Sequence, residues 1–133
     1  MATKENMMDA NKPELVSRML EAHLNEADVE GLEGLYETGA IFADYEGTAK
    51  GWPDIKAAHQ GFLDEGLSLV LNDSVVFQAD DIALVHWSWT VTQADGTTID
   101  GTSAEVLRRQ ADGTWKFVID NSDGSALIGS PNE

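Results

Sequence analysis

Three titratable side chains, those of His86, Glu105 and Asp120, have a spacing that aligns them across neighbouring strands. Asp95-Gly96 and Asp112-Gly113 each separate two alternating segments, and such a dipeptide predicts a two-residue hairpin turn. Counting back from these turns places His86 opposite Glu105 and Glu105 opposite Asp120. An imidazole flanked by carboxylates suits an acid–base relay or a three-ligand metal site. A solvated or dimer-interface cluster is the favoured alternative, because this register puts all three side chains on the outer face of the sheet.

The opposite face of the predicted sheet is apolar except for two side chains, Arg108 and Asn121. Its members are Val85, Trp87, Trp89, Val91, Ala104, Val106, Arg108, Trp115, Phe117, Ile119 and Asn121. Burying this face removes more apolar surface from water, so we expect the helices to cover it. Arg108 then either grips a ligand carboxylate or phosphate in a bidentate manner or lies at the rim beside a local acid. Asn121 either orients a polar group of the ligand or begins a turn.

The tryptophans and two histidines each allow a structural and a functional interpretation. Trp87 and Trp89 either stack on a flat ligand or belong to the core. Trp52, which precedes a predicted helix, either closes the pocket as a lid or packs as a hydrophobic staple. His23 and His59 lie on apolar helical stripes, where a histidine is expected to pack with one hydrogen bond rather than to bind a metal.

The elements that must position these side chains follow from hydrophobic periodicity. They are, in order, a helix from Asn11 to Asn25, a short helix from Asp28 to Tyr36, a strand over 40–45, a loop over 46–51, a helix from Pro53 to Gly66, and antiparallel strands to residue 121. Helices followed by a meander indicate an α+β fold in which the helices cover one face of the sheet.

The composition indicates one acidic domain, predicted over 13–124 with flexible tails at 1–12 and 125–133. The chain has 24 Asp and Glu against 8 Lys and Arg, a formal charge of −16, which disfavours nucleic acids and anionic membranes as partners. Without cysteine, disulfides, thiolate metal sites and cysteine nucleophiles are excluded. No apolar segment has the length of a membrane span or a signal sequence, so we expect a cytoplasmic protein.

Three segments together resemble the ketosteroid isomerase and SnoaL-like branch of the NTF2-like superfamily. They are LNEADVEGLEGLYETGAIFADYEG, GWPDIKAAHQGFL and DGTWKFVIDNSDG, and the resemblance covers about residues 14–124. It implies a cystatin-like cone, in which N-terminal helices pack on a curved antiparallel sheet around a pocket, and a homodimer formed through the sheet. The superfamily includes isomerases, dehydratases and plain binding proteins, so the fold does not carry the function.

Within this resemblance, Asp44 corresponds to the carboxylate that shuttles a proton in the steroid isomerases. An apolar wall that raises the pKa of a carboxyl group suits it to that task. The alternative is a turn-flanking aspartate whose oxygens accept backbone N–H groups. The oxyanion-hole tyrosine of the isomerases corresponds to Leu20, and their protonated carboxyl donor falls near Val106. Without those donors, authentic ketosteroid isomerase activity is not expected.

Two functions are consistent with these observations. The first is an isomerase or lyase that uses Asp44 as a proton shuttle on a small apolar or aromatic carbonyl compound. The second is a non-catalytic ligand-binding or dimerisation domain. The residues predicted to contact the ligand are Leu20, Trp52, Trp87, Arg108, Ile119 and Asn121, and no cofactor or metal is predicted.

Overall fold

The computed structural model describes residues 10–130. Its elements are α1 (Pro13–Asn25), a 3₁₀ helix (Glu30–Leu35), β1 (Tyr36–Asp44), β2 (Gly47–Lys50), α2 (Trp52–Asp64), β3 (Ser68–Ala79), β4 (Ile82–Thr92), β5 (Thr98–Thr102), β6 (Ala104–Arg109), β7 (Trp115–Asn121) and a second 3₁₀ helix (Gly124–Leu127). The predicted order of helices and strands is confirmed, with three local differences.

The first two differences lie between α1 and α2. The predicted second helix is a 3₁₀ helix, consistent with the cost of Gly31 and Gly34 inside an α-helix. The segment predicted as a loop after the first strand contains β2, which pairs antiparallel with β1. These two strands form a hairpin at one edge of the sheet.

The third difference concerns the sheet, which is curved, open and mixed rather than purely antiparallel. The strand order is β2-β1-β7-β6-β4-β3, and β5 pairs with the second half of β4. All neighbours are antiparallel except β1 and β7, which are parallel. These are the first and last strands of the chain, so no hairpin sets their relative direction.

Both helices bury one side against the concave face of the sheet. The helix α1 begins after Lys12, two residues later than predicted, with Pro13 in its first turn and no side-chain cap. The buried residues of α1 are Pro13, Val16, Ser17, Met19, Leu20 and Leu24. In α2 the predicted periodicity is confirmed, because Ile55 and His59 are buried.

The two Asp-Gly turns are three-residue loops rather than two-residue loops. In the first, Gln93 N–H donates to Thr97 O at 2.8 Å, and Gly96 has a φ of 89°. The second repeats this pattern around Gly113, whose φ is 88°. A type I turn followed by a left-handed glycine adds one residue to the loop and shifts the strand pairing by one. The structure therefore pairs Val85, not His86, with Glu105.

This shift of one residue exchanges the two faces of β6. Ser103, Glu105 and Leu107 are buried inside the cone, whereas Arg108 is exposed on the outer face. The inner face of β4 keeps the predicted Val85, Trp87 and Val91, and that of β7 keeps Trp115 and Phe117. The predicted position of β6 relative to the core was therefore wrong, since side chains alternate along a strand.

Two described residues of the segments predicted as tails, Ala10 and Leu127, are buried. Residues 1–9 and 131–133 lie outside the described residues. The Ala10 carbonyl accepts a hydrogen bond from Trp115 N–H at 3.0 Å, and Leu127 in the last 3₁₀ helix is buried. No helix within residues 10–130 is long and apolar enough to cross a membrane.

Candidate functional site

Two carboxyl groups from adjacent strands meet inside the cone. Glu105 on β6 pairs in register with Asp120 on β7, as predicted, and both side chains are buried. A bulge in β7 between Phe117 and Ile119 makes this possible. Phe117 and Asp120 both face inward because the bulge inserts one residue between two inward-facing positions. The predicted pair is thus confirmed, but it lies inside the cone rather than outside.

Asp120 belongs to a chain of hydrogen bonds that runs to α2. The Tyr36 hydroxyl lies 2.7 Å from Asp120 Oδ2 and 2.9 Å from His59 Nε2. A phenol has one proton, so a hydroxyl that donates to Asp120 accepts from His59. This assigns the neutral tautomer with a proton on Nε2 to His59. The arrangement connects the first residue of β1, the middle of α2 and the end of β7.

Glu105 is held by two serines. Ser17 Oγ on α1 lies 2.5 Å from Glu105 Oε1, and Ser103 Oγ lies 3.1 Å from Glu105 Oε2. Ser103 Oγ also accepts from Trp87 N–H at 3.3 Å. Each oxygen of the buried carboxyl group therefore has a partner, as buried polar groups require.

Burial shifts the protonation equilibria of this cluster. It raises the pKa of Glu105 to about 8, and the negative charge of Asp120 adds to that effect. It raises the pKa of Asp120 to about 6, against the opposing hydrogen bond from Tyr36. Burial lowers the pKa of His59 to about 4, in agreement with its neutral tautomer. Near neutral pH the pair therefore shares one proton and one negative charge, and the hydrogen bond that Tyr36 donates favours the negative charge on Asp120 and the proton on Glu105.

The cluster lies at the inner end of a cavity of about 520 Å³. Ser17, His59, Glu105 and Asp120 all contribute to its lining. The apolar part of the wall comes from both helices and the sheet and includes Leu20, Leu24, Phe42, Phe62, Leu69, Leu71, Trp89 and Phe117. A mostly apolar cavity with a few convergent polar groups is the usual form of a small-molecule site.

Trp89 forms one wall of this cavity in a fixed orientation. Its Nε1–H donates to the Ser122 carbonyl at 2.7 Å. Its ring lies against Gly101, where an added Cβ would come within 2.3 Å of the ring. The absence of a side chain at Gly101 therefore leaves the space that the indole ring occupies.

Asp44, the predicted proton shuttle, is half-buried at the end of β1 and lines the outer part of the cavity. Its Oδ1 accepts Glu46 N–H at 2.8 Å, which is the contact expected of a turn-flanking aspartate. Leu20 lines the cavity as predicted.

Two predicted aromatic contacts lie elsewhere. Trp52 is the first residue of α2 and packs on the Tyr36 ring, with centroids 6.5 Å apart, rather than covering the cavity. Trp87 is buried beneath the Arg18 guanidinium, 4.7 Å from the ring centroid, and does not line the cavity. Both residues therefore take the structural role that the sequence analysis left open.

Three residues predicted to contact the ligand from the inner face, Arg108, Ile119 and Asn121, do not line the cavity. Arg108 is exposed, and its Nε donates to Glu37 at 3.0 Å. Ile119 is exposed beyond the β7 bulge. Asn121 is half-buried at the end of β7, where its Oδ1 accepts Gly124 N–H at 2.9 Å and so begins the final turn. The register shift and the bulge account for the first two corrections.

His86 does not join the two carboxyl groups. It lies on the outer face, where its Nδ1 is 3.1 Å from Ser103 O and its ring packs edge-on to Phe77. The predicted three-residue alignment was therefore wrong. Among the described residues, no group of three or more His, Asp or Glu side chains is arranged to hold a metal ion.

Three contributors, Ser17, Tyr36 and Ser103, were not predicted to belong to the site, and His59 was predicted only to pack. One signal was available: Ser17 is a polar residue on the apolar side of α1. A small polar residue within a buried stripe indicates a polar partner across the core. Tyr36 carried no such signal, because it ended a predicted helix.

Comparison with known proteins agrees with this architecture. No curated protein matches the chain significantly. A cystatin-like protein of unknown function from Nostoc punctiforme is 16% identical, with a TM-score of 0.76 over 87% of this chain and 90% of its own. An NTF2-like protein from Novosphingobium aromaticivorans is 22% identical, with a TM-score of 0.70 over 96% of this chain and 87% of its own.

A candidate dehydratase of the NTF2-like family from Streptomyces avermitilis is 16% identical, with a TM-score of 0.70 over 92% of this chain and 98% of its own. At such identities these likenesses establish the fold alone. The model of the SnoaL-like domain matches residues 16–118. The chain therefore belongs to the SnoaL-like family of the NTF2-like superfamily.

Proposed function

We propose that this chain is an isomerase or lyase that moves a proton in a small apolar or aromatic carbonyl compound. The observation that carries the proposal is the buried Glu105–Asp120 pair at the inner end of the cavity. Two titratable groups whose pKa values are pushed apart supply an acid and a base at the same pH. A candidate dehydratase among the structural neighbours agrees with this class of reaction.

In the proposed reaction, the Asp120 carboxylate accepts a proton from the carbon next to the substrate carbonyl. The protonated Glu105 donates a hydrogen bond to the carbonyl oxygen, which becomes an enolate oxygen. Isomerisation is completed when the proton returns from Asp120 to another carbon. In a lyase the enolate instead expels a β-hydroxyl group, which takes the proton of Glu105 and leaves as water.

The hydrogen-bond partners support these roles. Tyr36 donates to Asp120 and stabilises its negative charge, which keeps the base ionised despite burial. A neutral carboxyl group in an apolar site can donate to a developing oxyanion. The resemblance to the isomerases aligned their carboxyl donor near Val106, one residue from Glu105, which faces the cavity.

Within the same reaction, Asp44 is the alternative to Asp120 as the base. It is supported by the resemblance to the steroid isomerases and by its place at the outer part of the cavity. Asp120 is preferred because it is buried and 3% exposed, whereas a base that water reaches freely has less power to abstract a carbon proton.

A general test follows the exchange of α-protons for deuterium in 2-tetralone and 2-acetylnaphthalene by NMR. We expect the wild-type protein to accelerate exchange, with a bell-shaped pH dependence whose limbs reflect ionisation of the coupled pair. Asp120→Asn should reduce the rate by roughly 10²-fold or more. Its matched control, Asp44→Asn, should retain most of the rate. The opposite order would assign the base to Asp44.

The alternative function is a non-catalytic binding domain. It is favoured by one observation: the polar groups of the cluster hydrogen-bond one another, as they would in a purely structural network. This alternative predicts that the ketones bind, that none exchanges faster than in buffer, and that Asp120→Asn leaves their affinity unchanged.

We also propose a homodimer through the outer face of the sheet. This outer patch consists of Val75, Phe77, Ile82, Leu84 and Ile119, all of them exposed. They lie on neighbouring strands, so they form one continuous apolar surface, and such a surface is typical of an interface. None of these residues lines the cavity, so dimerisation through this patch would not cover the cavity wall. A cytoplasmic location remains part of the proposal.

A further inference from the structure

Seven carboxylic acid side chains line the cavity. They are Asp44, Glu46, Glu65, Asp100, Glu105, Asp120 and Asp123, and no Lys or Arg of the described chain is among the lining residues. Five of these residues are exposed or half-buried, and they form the mouth of the cavity: Asp44, Glu46, Glu65, Asp100 and Asp123. Glu105 and Asp120 form its buried end.

Four of the basic side chains are paired away from the cavity. Arg18 donates to Glu21 and to the Leu71 carbonyl, each at 3.0 Å. Lys56, Arg108 and Arg109 pair with Glu30, Glu37 and Asp81 respectively. An anionic ligand would therefore meet no cation within the cavity to replace its lost hydration.

Apart from the proton of Glu105, the hydrogen-bond donors of the inner end are committed to partners within the protein. Ser17 and Ser103 lie within hydrogen-bond distance of Glu105, and Tyr36 donates to Asp120. The Trp89 indole donates to the Ser122 carbonyl. A ligand carboxylate or phosphate would thus meet no cation and only one uncommitted donor, the proton of Glu105, and it would lie beside the negative charge of Asp120.

The acidic residues at the mouth affect one another electrostatically. The pKa of Asp123 is raised, chiefly by partial burial and further by the charge of Asp44. Like charges within a Debye length, which is about 8 Å at physiological salt, repel each other. The mouth and the inner end therefore disfavour anions independently of each other.

We propose that the ligand of this cavity carries no negative charge, so that carboxylic acids and phosphate-bearing compounds are excluded while neutral and cationic compounds are admitted. The inference rests on the proposed function only in taking the cavity as the ligand site. It also replaces the prediction that Arg108 grips a ligand carboxylate, because that side chain is on the outer face.

Three isosteric probes test the proposal: 2-naphthoate, 2-naphthamide and 2-naphthamidine, which carry charges of −1, 0 and +1 at neutral pH. Their binding at millimolar concentration is measured by ligand-detected NMR at low salt. We expect 2-naphthoate to bind roughly tenfold more weakly than 2-naphthamide, or worse, and 2-naphthamidine at least as well as the amide. Raising the salt concentration should narrow these ratios. Equal binding of the carboxylate and the amide would overturn the proposal.

A pair of triple variants locates the effect. Glu46→Gln/Glu65→Gln/Asp100→Asn removes three charges from the mouth and should reduce the penalty on 2-naphthoate severalfold. Glu14→Gln/Glu33→Gln/Asp80→Asn removes the same number of charges from residues that do not line the cavity and should leave it unchanged. An equal effect of both variants would assign the exclusion to the net charge of the protein, against the proposal.

A second measurement needs no bound probe. The fluorescence of Trp89, obtained as the difference between wild type and Trp89→Phe, should be quenched by neutral acrylamide far more than by iodide. Equal quenching by iodide would contradict anion exclusion. Neither result depends on turnover, so loss of the charge inference would leave the role of Asp120 standing. Likewise, an inactive protein with the expected binding order would refute only the catalytic proposal.

Discussion

Replacing Glu105 with glutamine should make the protein more stable than the wild type, and the difference in the free energy of unfolding should grow as the pH rises. Glu105 is 5% exposed, and burial with the nearby charge of Asp120 raises its pKa from 4.5 to about 8. In the unfolded chain this carboxyl group loses its proton near pH 4.5, whereas the folded protein retains it up to about pH 8. The unfolded state therefore binds fewer protons across this window, and the free energy of unfolding falls as the pH increases.

The size of the effect follows from the shift. Each pKa unit corresponds to about 1.4 kcal/mol, so the free energy of unfolding should lose ~4 kcal/mol between pH 5 and pH 8 through this group alone. Glutamine is neutral in both states and removes that loss. Its amide oxygen can accept from Ser17 and its NH₂ group can donate to Ser103 Oγ, so the local hydrogen bonds are kept.

Urea unfolding followed by tryptophan fluorescence at pH 5, 6, 7 and 8 measures the difference between Glu105→Gln and wild type. We expect it to grow with pH, to several kcal/mol in favour of the variant at pH 8. Glu33→Gln, at an exposed position, is the matched control and should give a small, pH-independent difference. A difference that stays constant with pH, or a variant less stable than wild type at pH 8, would refute the assignment of a buried, protonated Glu105.

Two further predictions concern the outer patch and the cavity wall. Phe77→Glu should convert the dimer to a monomer, as measured by light scattering, because Phe77 is 59% exposed within the outer patch. The control Ile128→Glu, at a 79% exposed position off the sheet, should leave the dimer intact. If Phe77→Glu remains a dimer, the proposed interface is wrong. Gly101→Ala should displace the Trp89 ring, cost about 1–3 kcal/mol of stability and weaken binding of 2-naphthamide. The control Gly61→Ala in α2, where an added Cβ meets nothing within 4 Å, should be neutral or slightly stabilising. If Gly101→Ala keeps wild-type stability and ligand affinity, the position of the indole does not depend on the contact with Gly101.

Asp44 and Asp120 differ in their suitability as a base because of where they lie, although both are aspartates. Asp44 and Asp120 each lie near the end of a strand and each line the cavity. Only Asp120 is enclosed by the helices and supplied with a phenolic donor. The same functional group therefore differs in its suitability as a base because of the elements packed around it.

Local periodicity determined much of the fold. The apolar stripe of α1, the spacing of Ile55 and His59 in α2, and the alternation in β4 each predict an element that the structure contains. These patterns are short-range, since each element must bury one side whatever it packs against. The resemblance carried by three segments added the superfamily, which the match to the SnoaL-like domain confirms.

The register of the sheet was decided by tertiary structure. An Asp-Gly dipeptide predicts a turn but does not distinguish a two-residue loop from a three-residue loop, and one residue moves Glu105 from the outer face to the cavity. The bulge that turns Asp120 inward also has no distinct sequence pattern. The site itself joins Ser17, Tyr36 and His59 to residues about 23 to 88 positions away, so only the folded chain brings them together. The sequence thus determined which faces are apolar within each element, and packing determined which polar groups became buried and acquired shifted pKa values.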